Sequence, residues 1–452
     1  MMGILWQNLL YRARMWLKKP GFALMVVLTL GLGMASGTAL LRAAYGQARE
    51  EQSRSESPDA LESPRLAMLA REIKAGNRAA VQQFWEDLKG KAPLIETIPE
   101  HDNLRLVTFL WRGGDESGEI RFIGTVPLEI RQKPLNRLAD TDVWFLTARF
   151  QVTARFSYAF ERAGKWLDDP LNPLKYRARS FVELPGASPQ PWIRIQPEVA
   201  KGTLKPEKLS SKILKEEREF TVYTPAGYDP QRGKYGVVVL FDGEEYRSLV
   251  PTPTILDNLV ASKKIPPLVA LLVDHGSIEA RDRDLQCSAP FADFLAKELL
   301  PWAREHYRLS ADPKQTIIGG SSYGGLSAAY CAFRYPEVFG NVLSQSGSFG
   351  YYPGWHGADQ TDASPFGWLI RQFVTTRKLP LRFYLEAGLF ETAHAGSILP
   401  QNRRLRDVLE AKGYALVYSE FVGAHEYLSW RGSLADGLIA LTGQEKTGGQ
   451  NQ

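Results

Sequence analysis

The sequence predicts an α/β fold with a mostly parallel sheet, preceded by an all-β sandwich and by one apolar N-terminal segment. Three observations lead to this prediction. Strand-like and helix-like runs alternate after about residue 203, short β-branched and aromatic runs occupy residues 104–162, and residues 21–41 carry no charge. Alternating strands and helices form parallel sheets covered on both faces, whereas short strands separated by turn residues form antiparallel sandwiches.

The basic excess of the chain is confined to its N-terminus. The 452 residues have a formal net charge of +5, but six basic and no acidic residues precede Glu50. The remainder therefore carries 49 basic against 50 acidic residues. Because nucleic-acid binding needs a local excess of positive charge, we do not expect the folded part of the chain to bind nucleic acid.

The uncharged run at residues 21–41 is long enough to cross a hydrocarbon core of about 30 Å. Basic residues cluster on its N-terminal side, so the positive-inside rule predicts a single-pass anchor of the bacterial inner membrane within residues 1–45. The polar linker 46–62 and all later residues would be exported to the periplasm or the cell exterior. A cleaved signal peptide is the alternative, because small residues at 35–37 could supply a cleavage site.

Residues 63–200 are predicted to contain a helical lead-in and the sandwich. Apolar residues recur at three- and four-residue spacing from about 65 to 89, as in an amphipathic helix. Strand-like runs follow, and the proline-containing stretches 168–176 and 184–192 are predicted to be loops. The strand-like runs are "LRLVTFLWRG", "IRFIGTVPL", "TDVWFLTARFQV" and "ARFSYAFER".

Residues 201–442 are predicted to form the α/β domain, followed by a loose tail at 443–452. Two of its strands are apolar throughout, as expected for strands buried on both faces. The predicted strands lie in residues 218–228, 235–243, 266–274, 314–320, 340–347, 381–388 and 415–423, and the predicted helices in 289–307, 323–336 and 403–413.

The run Gly320-Ser321-Ser322-Tyr323-Gly324 fits the pattern G-x-S-x-G, between a predicted strand and a predicted helix. This pattern is typical of the nucleophile elbow of α/β-hydrolases, in which the serine occupies a sharp and strained turn. Side chains two residues before and after the nucleophile would collide, so Gly320 and Gly324 would leave room for the turn. The pattern selects Ser322 as the nucleophile, because Ser321 lies one residue too early.

An oxyanion needs backbone N–H donors, and the residue after the nucleophile supplies the first in this fold. Here that residue is Tyr323. The second donor is expected in the loop after an early strand, "VVLFDGEEY", where Gly243 or Glu244 could present its N–H group. Asp242 of the same loop precedes the serine, which is the wrong order for the acid of a triad, and is expected to be structural.

A serine hydroxyl needs a base, and the expected chain order is serine, acid, histidine. Three histidines follow Ser322: His356, His394 and His425. We favour His425, because it follows a predicted strand and would lie in a loop at the carboxyl ends of the strands. Of the acids in "YLEAGLFET", Glu391 is favoured over Glu386, since a loop carboxylate is better placed than one within a buried strand.

Two cysteines, Cys287 and Cys331, are too few for a disulfide framework and are expected to be free thiols. No group of cysteines and histidines has the spacing of metal ligands. The sequence therefore implies no metal and no cofactor.

Many segments resemble the enterochelin (enterobactin) esterases, which open catecholate siderophore triesters in bacteria. In the α/β part they include "VLFDGEEY", "RDRDLQCSAPFADFLAKELLP", "GGSSYGGLSA", "LEAGLFE" and "GAHEYLSWR", and in the earlier part "FWEDLKGKAPLIE", "VTFLWRG", "TDVWFLTARF" and "DPLNP". The resemblance implies an immunoglobulin-like N-terminal domain. It also implies that Ser322, His425 and Glu391 are the nucleophile, base and acid, and that Arg281 binds substrate.

The expected function is therefore that of a serine-dependent carboxylic ester hydrolase that works through an acyl-enzyme, with a ferric catecholate siderophore as a candidate substrate. A broad-specificity esterase for other exported esters is one alternative, because the fold is shared by many carboxylesterases. A non-catalytic, membrane-anchored protein that binds a siderophore or a glycan is the alternative from another class.

Overall fold

A computed structural model describes residues 61–114, 118–231, 233–354, 367–392 and 398–443. The predicted membrane anchor, most of the linker and tail, and the candidate histidines His356 and His394 lie outside the described residues. Among the residues that are described, no helix is both long enough and apolar enough to span a membrane.

The chain divides into two compact units. The described part of the first consists of residues 61–86 and 138–141, and the second contains residues 87–137 and those from 142 onwards. This division does not follow the boundaries predicted at residues 63, 201 and 442, which stay predictions.

The predicted helical stretch at residues 65–89 is two helices. Helix α1 spans Pro64–Lys74, with the Ser63 side chain accepting a hydrogen bond from the N–H of Leu66. Gly76 has a φ of +86°, a conformation that ends helices and that a side chain would disfavour. Helix α2 then spans Ala80–Leu88. The regular apolar spacing did not reveal this interruption.

The second unit begins with two antiparallel sheets that pack face to face. One has the strand order β1-β2-β5-β4, and the other has β3-β6-β9-β8, with β7 paired to β6. Aromatic side chains from both sheets share a buried core, and the rings of Phe109 and Phe122 lie 4.4 Å apart. The strands are β1 (Leu94–Thr97), β2 (Leu104–Arg112), β3 (Ile120–Gly124), β4 (Asn136–Arg137), β5 (Val143–Gln151), β6 (Arg155–Arg162), β7 (Lys165–Leu167), β8 (Lys175–Tyr176) and β9 (Arg179–Glu183).

This arrangement agrees with the predicted sandwich, and its immunoglobulin-like character stays a prediction. The hairpin of β8 and β9 differs from the loop that the prolines of residues 168–176 predict. Both prolines, Pro170 and Pro173, precede the hairpin and leave its hydrogen bonds intact.

The α/β part contains an eight-stranded sheet in the order β10-β11-β13-β12-β14-β15-β16-β17. Six neighbouring strands are mutually parallel: β13, β12, β14, β15, β16 and β17. At one edge of the sheet, β11 pairs antiparallel with β13, and β10 pairs antiparallel with β11. The predicted mostly parallel sheet is confirmed. The strands are β10 (Thr203–Ser211), β11 (Glu216–Thr224), β12 (Gly236–Phe241), β13 (Leu268–Val273), β14 (Thr316–Ser321), β15 (Asn341–Gln345), β16 (Arg382–Gly388) and β17 (Ala415–Phe421).

Helices cover both faces of this sheet. Alternate residues of β12 enter different cores, with Val237 and Val239 on one face and Val238 and Leu240 on the other, as the two-residue period of a strand requires. The helices are α3 (Gly243–Ser248), α4 (Thr252–Ala261), α5 (Ile278–Leu285), α6 (Ala289–Phe294), α7 (Leu300–Tyr307), α8 (Tyr323–Arg334), α9 (Trp368–Thr375), α10 (Ile398–Ala411) and α11 (Tyr427–Thr442).

Both cysteines are free thiols in the structure, and burial raises the pKa of Cys331 to about 12. A buried thiol with a raised pKa is a poor nucleophile. We therefore do not expect Cys331 to be a catalytic nucleophile. Ligands of open α/β sheets bind at the carboxyl ends of the parallel strands, where we expect the functional site.

Candidate active site

Ser322 occupies a sharp turn between strand β14 and helix α8. Its φ is 59° and its ψ is −121°, a conformation that non-glycine residues rarely adopt and that costs free energy. The Ser322 N–H donates to the carbonyl of Gln345 over 3.0 Å, which holds the turn against the neighbouring strand. The strained backbone is the feature expected of a nucleophile elbow.

The two adjacent serines differ in their exposure to solvent. Ser321 is the last residue of β14 and is fully buried. Both serines line a cavity, but only Ser322 is partly exposed, and its hydroxyl lies 3.3 Å from that of Ser348. Because a nucleophile must reach its substrate, the geometry favours Ser322, as the motif register predicted.

The glycines around the turn are not equally constrained. A Cβ atom built on Gly320 would lie 3.0 Å from the Cα of Gly324, so the expected crowding at Gly320 is present. A Cβ on Gly324 would have only ordinary contacts, the nearest at 3.5 Å from Phe241. The tighter position is Gly325, where a Cβ would clash with the Ser344 hydroxyl and lie 3.0 Å from the Cα of Gly347. The sequence motif did not identify Gly325.

His425 and Glu391 are in direct contact. The Nδ1 atom of His425 lies 2.9 Å from Oε1 of Glu391, and the N–H of Gly388 donates to Oε2 of the same carboxylate over 2.9 Å. The Glu391 side chain is 2% exposed and that of His425 is 37% exposed. With Nδ1 engaged by the acid, Nε2 is the nitrogen of His425 that can exchange a proton with a substrate or a serine.

Ser322 and His425 line the same cavity, whose volume is about 630 Å³. Within the described residues no hydrogen bond joins the two side chains. Such bonds are often long without a substrate and tighten when one binds. The structure thus brings together the three residues that the sequence selected, and their catalytic roles stay a prediction.

Glu386, the alternative acid, belongs to a different network. Its carboxylate accepts hydrogen bonds from Ser433 at 2.6 Å, Tyr384 at 3.0 Å and Gln345 at 3.1 Å. Burial raises its pKa to about 7. Because its partners are in the interior, Glu386 supports the sheet and does not orient His425.

Arg281 and Asp242 form a bidentate ion pair at the cavity. The Nε and Nη2 atoms of Arg281 lie 2.6 Å and 2.7 Å from the two carboxylate oxygens of Asp242. Asp242 is 1% exposed, whereas Arg281 retains 21% exposure of its side chain and lines the cavity. Asp242 has the structural role expected of it, and substrate binding by Arg281 stays a prediction.

The two predicted oxyanion donors both lie at the N-termini of helices. Tyr323 is the first residue of α8, and Gly243 is the first residue of α3. Helix N-termini present N–H groups and a partial positive charge. A Cβ on Gly243 would lie 2.6 Å from the carbonyl carbon of Leu272, so this position requires glycine. The oxyanion role of both residues stays a prediction.

One cluster has the composition of a metal site: Asp242, Glu245 and His275 each offer a ligand atom, and these atoms lie within 4.8 Å of one another. Both carboxylate oxygens of Asp242 are already bound to the Arg281 guanidinium, however. A metal ion would have to displace this cation or lie beside it. The donor set therefore does not fit a metal centre.

Several cavity residues come from the sandwich and were missed by the sequence analysis. Trp166 on β7 and three residues of the β8–β9 hairpin, Tyr176, Arg177 and Arg179, line the cavity of Ser322. A second cavity of about 380 Å³ shares Trp166, Arg179 and His425 with the first. The stretch "YRAR" at residues 176–179 is recognisably basic in the sequence, but its position in the chain does not indicate that it lines the cavity of Ser322.

The loops that carry Glu391 and His425 pack on the sandwich. Phe390 and Ala424 belong to its buried core, and the Phe390 ring lies 6.0 Å from that of Phe156. The Glu426 carboxylate accepts hydrogen bonds from the N–H of Ser157 at 2.9 Å and the hydroxyl of Thr125 at 3.1 Å. The sandwich thus fixes the neighbours of both proposed catalytic residues.

Comparison with known proteins agrees with this architecture. A family model described as "Putative esterase" matches residues 211–441, and one described as "Enterochelin esterase, N-terminal" matches residues 106–167. The iron(III) enterobactin esterase of Escherichia coli K12 is 30% identical over 75% of this chain and 92% of its own length. The corresponding protein of Dickeya dadantii is 29% identical over 86% of this chain and 98% of its own.

Solved structures give the same result. The ferric enterobactin esterase of Salmonella typhimurium is 27% identical, with a TM-score of 0.68 over 80% of this chain and 98% of its own. The enterobactin esterase of Shigella flexneri, solved in the presence of enterobactin, is 28% identical, with a TM-score of 0.65 over 80% and 97%.

The glycine geometry yields a stability prediction. Gly325→Ala should lower the free energy of unfolding by about 1–3 kcal/mol, because the added methyl group overpacks the contact with Ser344 and Gly347. Gly324→Ala is the matched control and should change it by less than about 1 kcal/mol. Chemical denaturation followed by fluorescence measures both. Equal losses in the two variants would show that the elbow is not packed as described.

Proposed function

The chain belongs to the enterochelin esterase family, and we propose that it hydrolyses the ester bonds of a catecholate siderophore through Ser322, His425 and Glu391. It is a carboxylic ester hydrolase, as its relatives and its esterase domain indicate. The contact of His425 with Glu391, in a site that also holds the partly exposed Ser322, is the observation that carries the proposed mechanism.

In the first half-reaction, the Ser322 hydroxyl attacks the ester carbonyl carbon while His425 Nε2 takes the hydroxyl proton. Glu391 holds the imidazole through Nδ1 and stabilises the imidazolium that forms. The negative charge on the former carbonyl oxygen is stabilised by the N–H groups of Tyr323 and Gly243. The carbon–oxygen bond to the leaving alcohol then breaks, and His425 returns the proton to that alcohol.

In the second half-reaction, water replaces the alcohol. His425 takes a proton from the water as the water oxygen attacks the acyl-enzyme carbonyl. The bond between the acyl carbon and the Ser322 oxygen then breaks, the carboxylic acid is released, and His425 returns its proton to the Ser322 oxygen.

The siderophore assignment is supported by what the relatives are called. Four of them are iron(III) enterobactin esterases and one is an iron(III) salmochelin esterase. A Shigella flexneri relative was solved in the presence of 2,3-dihydroxy-N-benzoyl-serine. The cavity volume of about 630 Å³ lies in the range of sites that bind small organic molecules. An esterase for other esters and a non-catalytic binding protein are the competing functions.

The first test separates the two serines. Ser322→Ala should abolish labelling by a fluorophosphonate and acyl-enzyme formation, because the nucleophile is lost. Ser321→Ala should fold and retain labelling, since that hydroxyl is fully buried. Intact-protein mass spectrometry after the reaction measures both. Absence of labelling in the native protein would favour the non-catalytic alternative, and loss of labelling in Ser321→Ala alone would move the nucleophile by one residue.

The second test concerns the base and the acid. His425→Ala should lower kcat by several orders of magnitude, because proton transfer is lost. Glu391→Ala should lower it by about 10²–10⁴-fold, since the acid only orients and stabilises the imidazolium. The double variant should be little slower than His425→Ala alone, because the groups act as one unit. If the losses of kcat in the two single variants multiply in the double variant, Glu391 and His425 do not act as one unit. Glu386→Ala is the control that tests the alternative acid.

The location of this activity is a separate proposal that rests on the sequence alone. The charge asymmetry around residues 21–41 predicts an inner-membrane anchor with the hydrolase exported. The full-length protein should therefore resist alkaline extraction from membranes, and an alkaline phosphatase reporter fused after residue 57 should be active. Recovery of the full-length protein in the soluble cytoplasmic fraction would refute the proposal.

A further inference from the structure

We propose that Arg177, Arg179, Trp166 and Arg131, all on the sandwich, form a subsite that recognises the anionic iron-bound form of the substrate. This inference rests on the proposed function and extends it to the residues that set substrate preference. The four side chains are called the cationic subsite below.

The cationic subsite lies beside the proposed reaction centre. Trp166, Arg177 and Arg179 line the cavity that contains Ser322 and His425, and Arg131 lines the smaller cavity that shares Trp166, Arg179 and His425 with it. A ligand large enough to fill both cavities would contact all four side chains while its ester bond lay at the serine.

The charges of the subsite are not neutralised by ion pairs. Among the described residues, no carboxylate lies within 4.0 Å of a charged nitrogen of Arg177, Arg179 or Arg131. Arg281 in the same cavity differs, since both of its hydrogen-bonding nitrogens bind Asp242. Arginines that line a cavity and have no carboxylate as an ion-pair partner are suited to binding an anionic ligand.

The two carboxylates that line these cavities, Glu391 and Glu426, accept hydrogen bonds from other donors. Glu426 interacts electrostatically with Arg179, but its oxygens accept hydrogen bonds from Ser157 and Thr125. Glu391 accepts from His425 and Gly388. The positive potential of the arginines is therefore only partly reduced by the protein.

Two of the side chains are held in unusual positions. Arg177 is exposed at the tip of the β8–β9 hairpin with a φ of 56°, a strained conformation for a residue with a side chain. Trp166 is 57% exposed, and the Arg179 guanidinium lies 4.8 Å from its ring centroid. An exposed indole stacked with a guanidinium offers both an aromatic face and a charge.

Arg131 provides a further unsatisfied donor. Its Nη2 atom donates to the carbonyl of Val126 over 3.1 Å, but its Nε is buried and has no hydrogen-bond partner among the described residues. A buried donor without a partner costs free energy, which a bound acceptor would recover.

An iron-bound catecholate matches these features. Each catechol that binds iron(III) does so as a dianion, so three catecholates around one iron leave a net charge of about −3. Without iron, catechol hydroxyls have a pKa near that of tyrosine, about 10, and are mostly neutral at pH 7. Removal of iron thus changes the substrate charge by about three units while the ester bonds stay the same. The cationic subsite should therefore favour the iron-bound triester.

The experiment compares one ester with and without iron. The cyclic triester of 2,3-dihydroxybenzoyl-serine is hydrolysed as its iron(III) complex and as the iron-free compound, and kcat/KM is measured for each. In the double variant Arg177→Gln/Arg179→Gln, the ratio of the iron-bound to the iron-free value should fall about 100-fold, roughly tenfold for each charge removed. Increasing salt from 50 to 500 mM should lower the same ratio in the native protein and much less in the double variant.

Arg371→Gln is the matched control, since this arginine is exposed on helix α9 and lines neither cavity. It removes one positive charge, as each of the two changes in the double variant does, and should leave the ratio unchanged. A thermal unfolding midpoint within about 2 °C of the native value establishes that a variant is folded.

The outcomes distinguish this inference from the proposed function. If the native protein hydrolyses neither form of the triester, the siderophore function itself is wrong. If it hydrolyses the triester but the double variant keeps the native ratio, the cationic subsite is wrong and the proposed function stands. A fall of about tenfold in Arg371→Gln, the amount expected for one charge, would show that the ratio depends on net charge alone and would also overturn the subsite.

Discussion

The packing of two loops against the β-sandwich is the constraint on which the candidate active site depends. Phe390 and Ala424 lie in the buried core of the sandwich, and each directly precedes a member of the proposed triad. Glu426, directly after His425, is bound by donors of the same sandwich. Because closely packed interiors tolerate little displacement, this burial limits the movement of Glu391 and His425. The sandwich is therefore part of the site and more than an appendage to the hydrolase.

Gln345 connects the turn of Ser322 to the interior of the hydrolase part. Its carbonyl accepts the N–H of Ser322, while its side-chain amide donates to Glu386 at 3.1 Å and to the carbonyl of Trp430 at 2.9 Å. Trp430 in turn packs its ring edge-to-face against His425, with centroids 4.9 Å apart. A single buried network thus joins the backbone of the serine to the ring of the histidine. The hydrogen-bonded part of this network is buried and therefore rigid, and the ring contact of Trp430 extends it to His425.

The cavity that contains Ser322 lies between the hydrolase part and the sandwich, since residues of both line it. Ser322 and His425 line it as the proposed nucleophile and base, and Trp166, Arg177 and Arg179 form an aromatic and positively charged wall. This division gives the two parts different tasks. In the proposed mechanism, residues on the sheet and its loops cleave the ester, and in the proposed subsite, residues on the sandwich select it.

The sequence by itself determined the features that depend on local patterns. The apolar strands, the helix after the elbow, the register of Ser322 and the choice of His425 and Glu391 follow from periodicity, motif spacing and chain order, and the structure brings these residues together. Only the tertiary structure revealed the β8–β9 hairpin, the constraint at Gly325, the interior network of Glu386 and the arginines that face the cavity. These features depend on which distant segments meet. Gly325 is restricted by Ser344 and Gly347, and Arg179 lines a cavity with His425 because the sandwich packs on the hydrolase loops. Contacts between residues far apart in the chain leave no periodic trace in the sequence, so spacing rules could not predict them.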